Sequence, residues 1–162
     1  MVWDPYLYAD EHCIFVEEYD LPDPLLGLYV MGPDTPPTIL FSPMLRANPC
    51  PVDAPMAEEV GHHETSNGFS TVRQYTTCQD VLNVSRVKHQ ARRWVVKQLI
   101  PNDELWHLII TKQTITHHNA SDYFDVVPSY MRLRLRLFLS DYRETFYAYG
   151  DKGCCIAFRL LG

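Results

Sequence analysis

The sequence predicts an α+β fold, a small antiparallel N-terminal sheet followed by a C-terminal helical region, and three observations lead there. Residues 12–41 hold three short runs rich in β-branched and aromatic residues, separated by Pro, Gly and Asp. The stretch from about Gln79 to Ile100 repeats its apolar residues at helical spacing and stops at Pro101. Between them, Met56, Glu59, Val60 and His63 recur with the period of a helix.

The elements follow in order. His12–Tyr19 alternates around Ile14, Phe15 and Val16 and reads as a strand ended by the acidic turn Asp20-Leu-Pro-Asp-Pro24. Gly27–Met31 is a second strand, Gly32-Pro33-Asp34 a turn and Thr38–Phe41 a third strand, spaced as in an antiparallel meander. Ser42–Val52 reads as a loop. Asp53 suits an N-cap, with Pro55 in the first turn of the helix that carries His62. Ser66–Thr77 is polar, contains Asn67-Gly68 and leads into the long helix, whose Val84, Val87, Ala91, Trp94, Val95 and Leu99 fall near one face. Shorter helices are predicted over Asn102–Ile110 and Asn119–Val126. From Met131 to Leu139, Leu and Arg alternate with a period of two that favours a strand, whereas the Pro128-Ser129 start favours a helix. Asp151-Lys-Gly153 reads as the turn of a terminal hairpin. The expected organisation is one domain over 1–162: a sheet region at 12–52, a motif helix at 53–66, a helical region at 79–140 and a hairpin tail at 141–162.

Composition narrows the class. At 162 residues, 46% hydrophobic and 12% aromatic, the chain can build a core. It has no run of about 18 apolar residues, and its first residues lack the basic start and apolar stretch of a signal peptide, so no membrane partner and a cytoplasmic location are expected. Five cysteines without a Cys-x-x-Cys pair argue against a disulfide framework and a cysteine zinc knuckle, and suggest core thiols. The net charge of -6 conceals a split: residues 1–66 carry twelve acidic residues against Arg46 alone, and 67–162 carry eight acidic against thirteen basic. A basic helical half leaves open a nucleic-acid contact, but an acidic β-region beside basic helices explains the split as well.

The chemistry concentrates in Met56-Ala-Glu-Glu-Val-Gly-His-His63. A His-Glu-x-x-His helix sets two imidazoles one turn apart as zinc ligands and places the Glu as general base. Here Glu58 stands at the first His position, Glu59 at the base position and His62 at the second ligand position, and a carboxylate oxygen is a competent zinc donor.

A strand ending in Tyr-Asp-Leu-Pro, then Gly-Leu-Tyr, then Thr-Ile-Leu-Phe, then Met-Ala-Glu-Glu-Val-Gly-His-His follows the order and spacing of the ImmA/IrrE family of metallopeptidases, which the chain resembles over roughly residues 12–140. Ala91-Arg-Arg-Trp94 through Leu99-Ile-Pro101 is similar to that family's third-ligand helix, and Ala120–Val126 to its helix-turn-helix-like segment. The resemblance implies a zincin-like fold, a helix over Met131–Leu139, and a zinc-dependent endopeptidase. In that reading Glu58, His62 and His89 hold Zn²⁺ and Glu59 is the catalytic base. The partner it implies is a helix-turn-helix repressor or similar regulatory protein. Two departures matter: Glu58 replaces the usual first His, as in the Glu-Glu-x-Gly-His-His variant of phage- and mobile-element-associated relatives, in which a metal can still be held, and Lys88 stands where the family carries its acidic third ligand. A protonated Lys offers no lone pair to a metal. His89 could replace it only if the helix turned by about 100°. The alternative is a catalytically inactive relative that binds the regulator, or DNA.

Other candidates carry less. His63 lies at a different helical phase from His62, as a supporting or surface group. His117-His118 reads as a solvated turn just before a helix. Cys154 and Cys155, adjacent in a β-like run, face opposite ways, and Ser66, Ser70 and Ser85 lack a nucleophile's His/Asp pattern.

Overall fold

The computed structural model describes residues 3–47, 54–66, 78–112 and 116–141. Asp53, most of the 66–77 loop and the terminal hairpin lie outside them. The fold is α+β, with a three-stranded sheet and seven helical segments among the described residues. The chain divides into two compact units, 1–95 and 96–162.

The first unit opens with a helix ahead of the first expected strand, α1 (Pro5–Glu11). Its signal was local. Asp4 accepts hydrogen bonds from the Tyr6 and Leu7 amides at 2.8 and 3.2 Å, and Pro5 occupies the first turn, where its missing N–H costs nothing. The helix closes at His12, and Cys13 adopts a left-handed φ of 56°. This reversal shortens the expected strand to β1 (Phe15–Glu18). Cys13 is exposed and free, so it is not among the core thiols expected of most of the cysteines.

The sheet is mixed, which corrects the antiparallel expectation. β2 (Gly27–Gly32) and β3 (Thr35–Phe41) pair antiparallel through the Pro33-Asp34 turn, Tyr29 facing Ile39. β1 pairs parallel with β3, Phe15 opposite Thr38 through Glu18 opposite Phe41, giving the order β1-β3-β2. The strand directions are those of a meander; only the spatial order differs. A tight two-residue turn forces β3 beside β2, whereas the longer, proline-bearing link from Tyr19 to Leu26 imposes no such neighbour. Pro36 and Pro37 sit in the central strand but before its first pairing with β1, where their missing amides break no ladder bond to that strand.

A single helical turn, α2 (Met44–Ala47), interrupts the expected loop, and α3 (Ala54–Thr65) then packs on β2, β3 and α1. The core beneath α3 is Ala9, Ile14, Tyr29, Ile39, Met56 and Val60, with Trp3, Tyr8, Val16, Met31 and Trp94 around it. α4 (Cys78–Leu99) carries the predicted apolar face: Ala91, Val95 and Leu99 are buried, Val84, Val87 and Trp94 half-buried.

The second unit contains α5 (Asn102–Lys112), α6 (His117–Phe124) and α7 (Pro128–Asp141). His117 and His118 belong to the first turn of α6, capped by the Thr116 hydroxyl, rather than to a turn before it. α7 is a helix despite its alternating sequence, because Tyr130, Met131, Arg134, Leu135 and Phe138 are buried at helical spacing. The alternation misleads because one of its arginines is a core residue. Arg134 Nε donates to the Ile100 carbonyl at 2.8 Å and its guanidinium also reaches Asn102 Oδ1, so a buried cation caps the chain end left by Pro101.

Candidate functional site on helix α3

Glu58 and His62 share one face of α3 a single turn apart, and Glu59 lies about 100° round the helix, facing the sheet. The orientation of Glu59 is set by β2. The Tyr29 amide, on the strand edge that β3 leaves free, donates to Glu59 Oε2 at 2.8 Å. The carboxylate lies so close over Gly27 that a Cβ there would come within 3.0 Å of Glu59 Cγ. Gly27 is therefore part of the site. Burial pushes the Glu59 carboxyl up to about 7, with Glu58 adding to the rise, while the Tyr29 hydrogen bond and the Lys88 charge oppose it. An acid so placed exchanges its proton near neutrality.

His62 is buried, and its Nδ1 has no hydrogen-bond partner among the described residues. Burial lowers its pKa; Glu58 raises it, and Lys88 and Arg92 lower it further. The ring is thus a neutral imidazole near neutral pH, the form that binds a metal or accepts a proton. His63 is turned away from this face. Its Nδ1 shares a hydrogen bond of 2.8 Å with the Tyr29 hydroxyl, and the two rings meet edge to face. It buttresses the strand residue whose amide holds Glu59.

Helix α4 supplies the rest of the site, and Gly61 decides how. A Cβ at Gly61 would lie 2.8 Å from both the Ala91 carbonyl oxygen and Val95 Cγ2. The two helices touch nearly backbone to backbone at this point. That contact fixes the register of α4 and brings Arg92 to an α3 carboxylate, with Lys88 one turn before it. Arg92 Nε donates to Glu58 Oε2 at 3.1 Å. The charge of Lys88 is felt at both Glu59 and His62.

His89 is exposed on α4. Bringing it to the place of Lys88 would require the rotation of about 100° noted above. Arg92 would then move towards the place of Ala91 against Gly61, where even one added methyl has no room. Among the described residues no three His, Cys, Asp or Glu side chains gather as a metal set, so Glu58, His62 and His89 do not come together. The described donors do not make a zinc set: one carboxylate is engaged by a guanidinium, one imidazole is available, and no third donor among the described residues joins them. A cleft elsewhere in this unit is lined by Asp20, Pro22, Asp23, Ser42 and Met44, and none of Glu58, Glu59 or His62 lines it.

The residues that the motif alone did not reveal are Gly27, Tyr29 and Arg92. Arg92 had a signal, since it lies one helical turn beyond Lys88; Gly27 and Tyr29 had none, because only the sheet brings them to Glu59. No family model, curated protein or solved structure matches the chain.

Proposed function

We propose that the chain is an ImmA/IrrE-like protein in which the zincin framework serves as a binding scaffold: it holds a helix-turn-helix regulatory protein without cleaving it. The observation that carries this reading is the Arg92–Glu58 ion pair, which engages the first ligand position with a cation of the chain itself. Lys88 at the third position extends the same substitution. A protein partner is favoured over nucleic acid. Two of the basic residues that suggested a nucleic-acid face are committed elsewhere, Arg92 to Glu58 and Arg134 to the core. Exposed Leu7, Phe15, Tyr19 and Met44 in the first unit offer apolar contact instead.

The zinc-endopeptidase reading retains one specific observation in its favour: a buried, neutral His62 whose Nδ1 has no partner among the described residues, beside an acid whose proton exchanges near neutrality. Among the described residues it lacks a third donor. The two readings separate on the purified protein by zinc content and by incubation with helix-turn-helix regulators at added zinc. The binding reading expects substoichiometric zinc, co-elution with a regulator and an intact regulator afterwards. Cleavage that Glu59→Gln abolishes would overturn it.

A further inference from the structure

We infer that the face of the sheet turned away from α3 is a docking surface for one amphipathic helix of a partner protein, a helix whose polar residues are Lys and Arg. This rests on the binding reading above and names the surface and the chemistry that would hold the regulator.

Strand alternation separates the two faces of the sheet. Val16, Tyr29 and Ile39 point to the face on which α1 and α3 pack. Phe15 and Val30, and the next row of Glu17, Leu40 and Leu28, stand in register on the other. Tyr19 extends that row, because its amide donates to the Phe41 carbonyl at 3.0 Å and continues the ladder. Phe15 is 55% exposed and Tyr19 59%, while Leu28, Val30 and Leu40 are half-buried. A sheet buries an apolar face against another layer, as this one does with α3 on its opposite side. The dimensions suit a second helix: three strands measure about 10 Å across, the diameter of a helix, and β2 runs about 20 Å, where α3 covers about 18 Å.

Charge decides which helix. Residues 1–66 carry twelve acidic residues against Arg46 alone. Exposed Glu17 stands on the face itself, between Phe15 and Tyr19, and exposed Asp34 lies in the hairpin turn at one end. At the Tyr19 end a cleft of about 550 Å³ is lined by Asp20, Asp23, Ser42 and Met44. Ser42 continues the row of Leu40, its amide donating to the Leu26 carbonyl at 2.9 Å, so the cleft adjoins the same face. An apolar strip with carboxylates at its middle and both ends complements a Leu or Phe stripe flanked by Lys and Arg. The same carboxylates repel nucleic acid, and a two-fold pairing of two copies through this face would set acids against acids. The basic face of a DNA-binding regulator meets the requirement.

The probe is a phage-displayed library of peptides about three to four helical turns long, with Leu or Phe fixed at helical spacing and every other position free, selected on the full chain. The free positions are expected to fill with Lys and Arg. One selected peptide is then synthesised and titrated by fluorescence anisotropy. It is expected to bind wild type and Ile110→Ser equally, and to bind Phe15→Ser/Tyr19→Ser and Glu17→Lys/Asp20→Lys at least about tenfold more weakly. Raising salt from about 0.05 to about 0.5 M should weaken it on wild type. All five substitutions fall at exposed positions, and should one double variant not fold, the other decides. A library that yields no binder, selected peptides without basic excess, or binding that the double variants retain would overturn the inference. So would a wild-type dimer, seen by light scattering, that Phe15→Ser/Tyr19→Ser dissolves, since the occupant would then be a second copy. A regulator that co-elutes equally with wild type and both double variants would overturn the inference and leave the binding reading standing. A regulator cleaved by wild type but not by Glu59→Gln would overturn that reading, while peptide binding lost in the double variants would still support this surface.

Discussion

Glu59 is the residue whose environment departs furthest from its sequence. A motif assigns it the role of a base facing a metal-bound water; the fold places it against a strand edge, accepting from the Tyr29 amide over the bare backbone of Gly27. Its folded pKa of about 7 lies above the ordinary 4.5, so the folded state keeps a proton that the unfolded chain releases. Stability from this group is full below the lower value and is lost as pH rises through the higher one. His62 acts in the opposite sense: its depressed pKa contributes stability above 6.5 that is lost as pH falls. Glu59→Gln removes only the first effect and leaves an amide oxygen to accept from Tyr29. The variant is therefore expected to gain on wild type between pH 5 and pH 8, by on the order of 1–3 kcal/mol at the upper end. Thermal melts at the two pH values check this, and an equal difference at both would contradict it. The His63–Tyr29 bond shows how a neighbour of a predicted ligand finds a separate task one helical phase away.

At the scale of elements, α3 and α4 are joined by a glycine. Gly61→Ala would drive a methyl to 2.8 Å from the Ala91 carbonyl oxygen, a backbone atom that moves only with its helix. A loss of about 1–3 kcal/mol is expected, read as a lower denaturant midpoint at unchanged slope. The register of α4 would shift with it, so the same variant should weaken the Arg92–Glu58 coupling measured in a thermal cycle. Helix α7 makes the complementary case. Its Leu/Arg alternation fits a strand by period, yet Arg134 is 1% exposed and donates to the Ile100 carbonyl where Pro101 ends α4. Arg134→Met keeps much of the volume and removes the donor, leaving that carbonyl without the bond; a loss of about 2–4 kcal/mol is expected by chemical denaturation. Arg132→Met or Arg136→Met, at exposed positions, should fall within about 0.5 kcal/mol of wild type.

At the scale of the molecule, a chain whose described residues gather no metal set should be indifferent to zinc. Bound zinc would raise stability by about 2.7 kcal/mol at a hundredfold excess over its dissociation constant. The expected outcome for wild type is instead the same Tm in EDTA and in excess zinc, and a zinc-dependent rise would contradict the non-catalytic reading. No helix among the described residues is long and apolar enough to cross a membrane. Most helices were legible in the sequence, because helical periodicity, Pro101 and the Pro128-Ser129 start are local signals. The α1 helix has its own local signal, Asp4-Pro5. The sequence by itself determined that a small sheet precedes helices and that Glu58, Glu59 and His62 share one turn of α3, since spacing along a chain is enough to place residues on a helix. Tertiary structure alone decided that β3 lies between β1 and β2, that Arg134 is interior, and that Arg92 rather than His89 meets Glu58. Those outcomes depend on which backbones touch, and the contact at Gly61 sets the rotation of α4 through an absence of side-chain volume that a linear pattern does not encode.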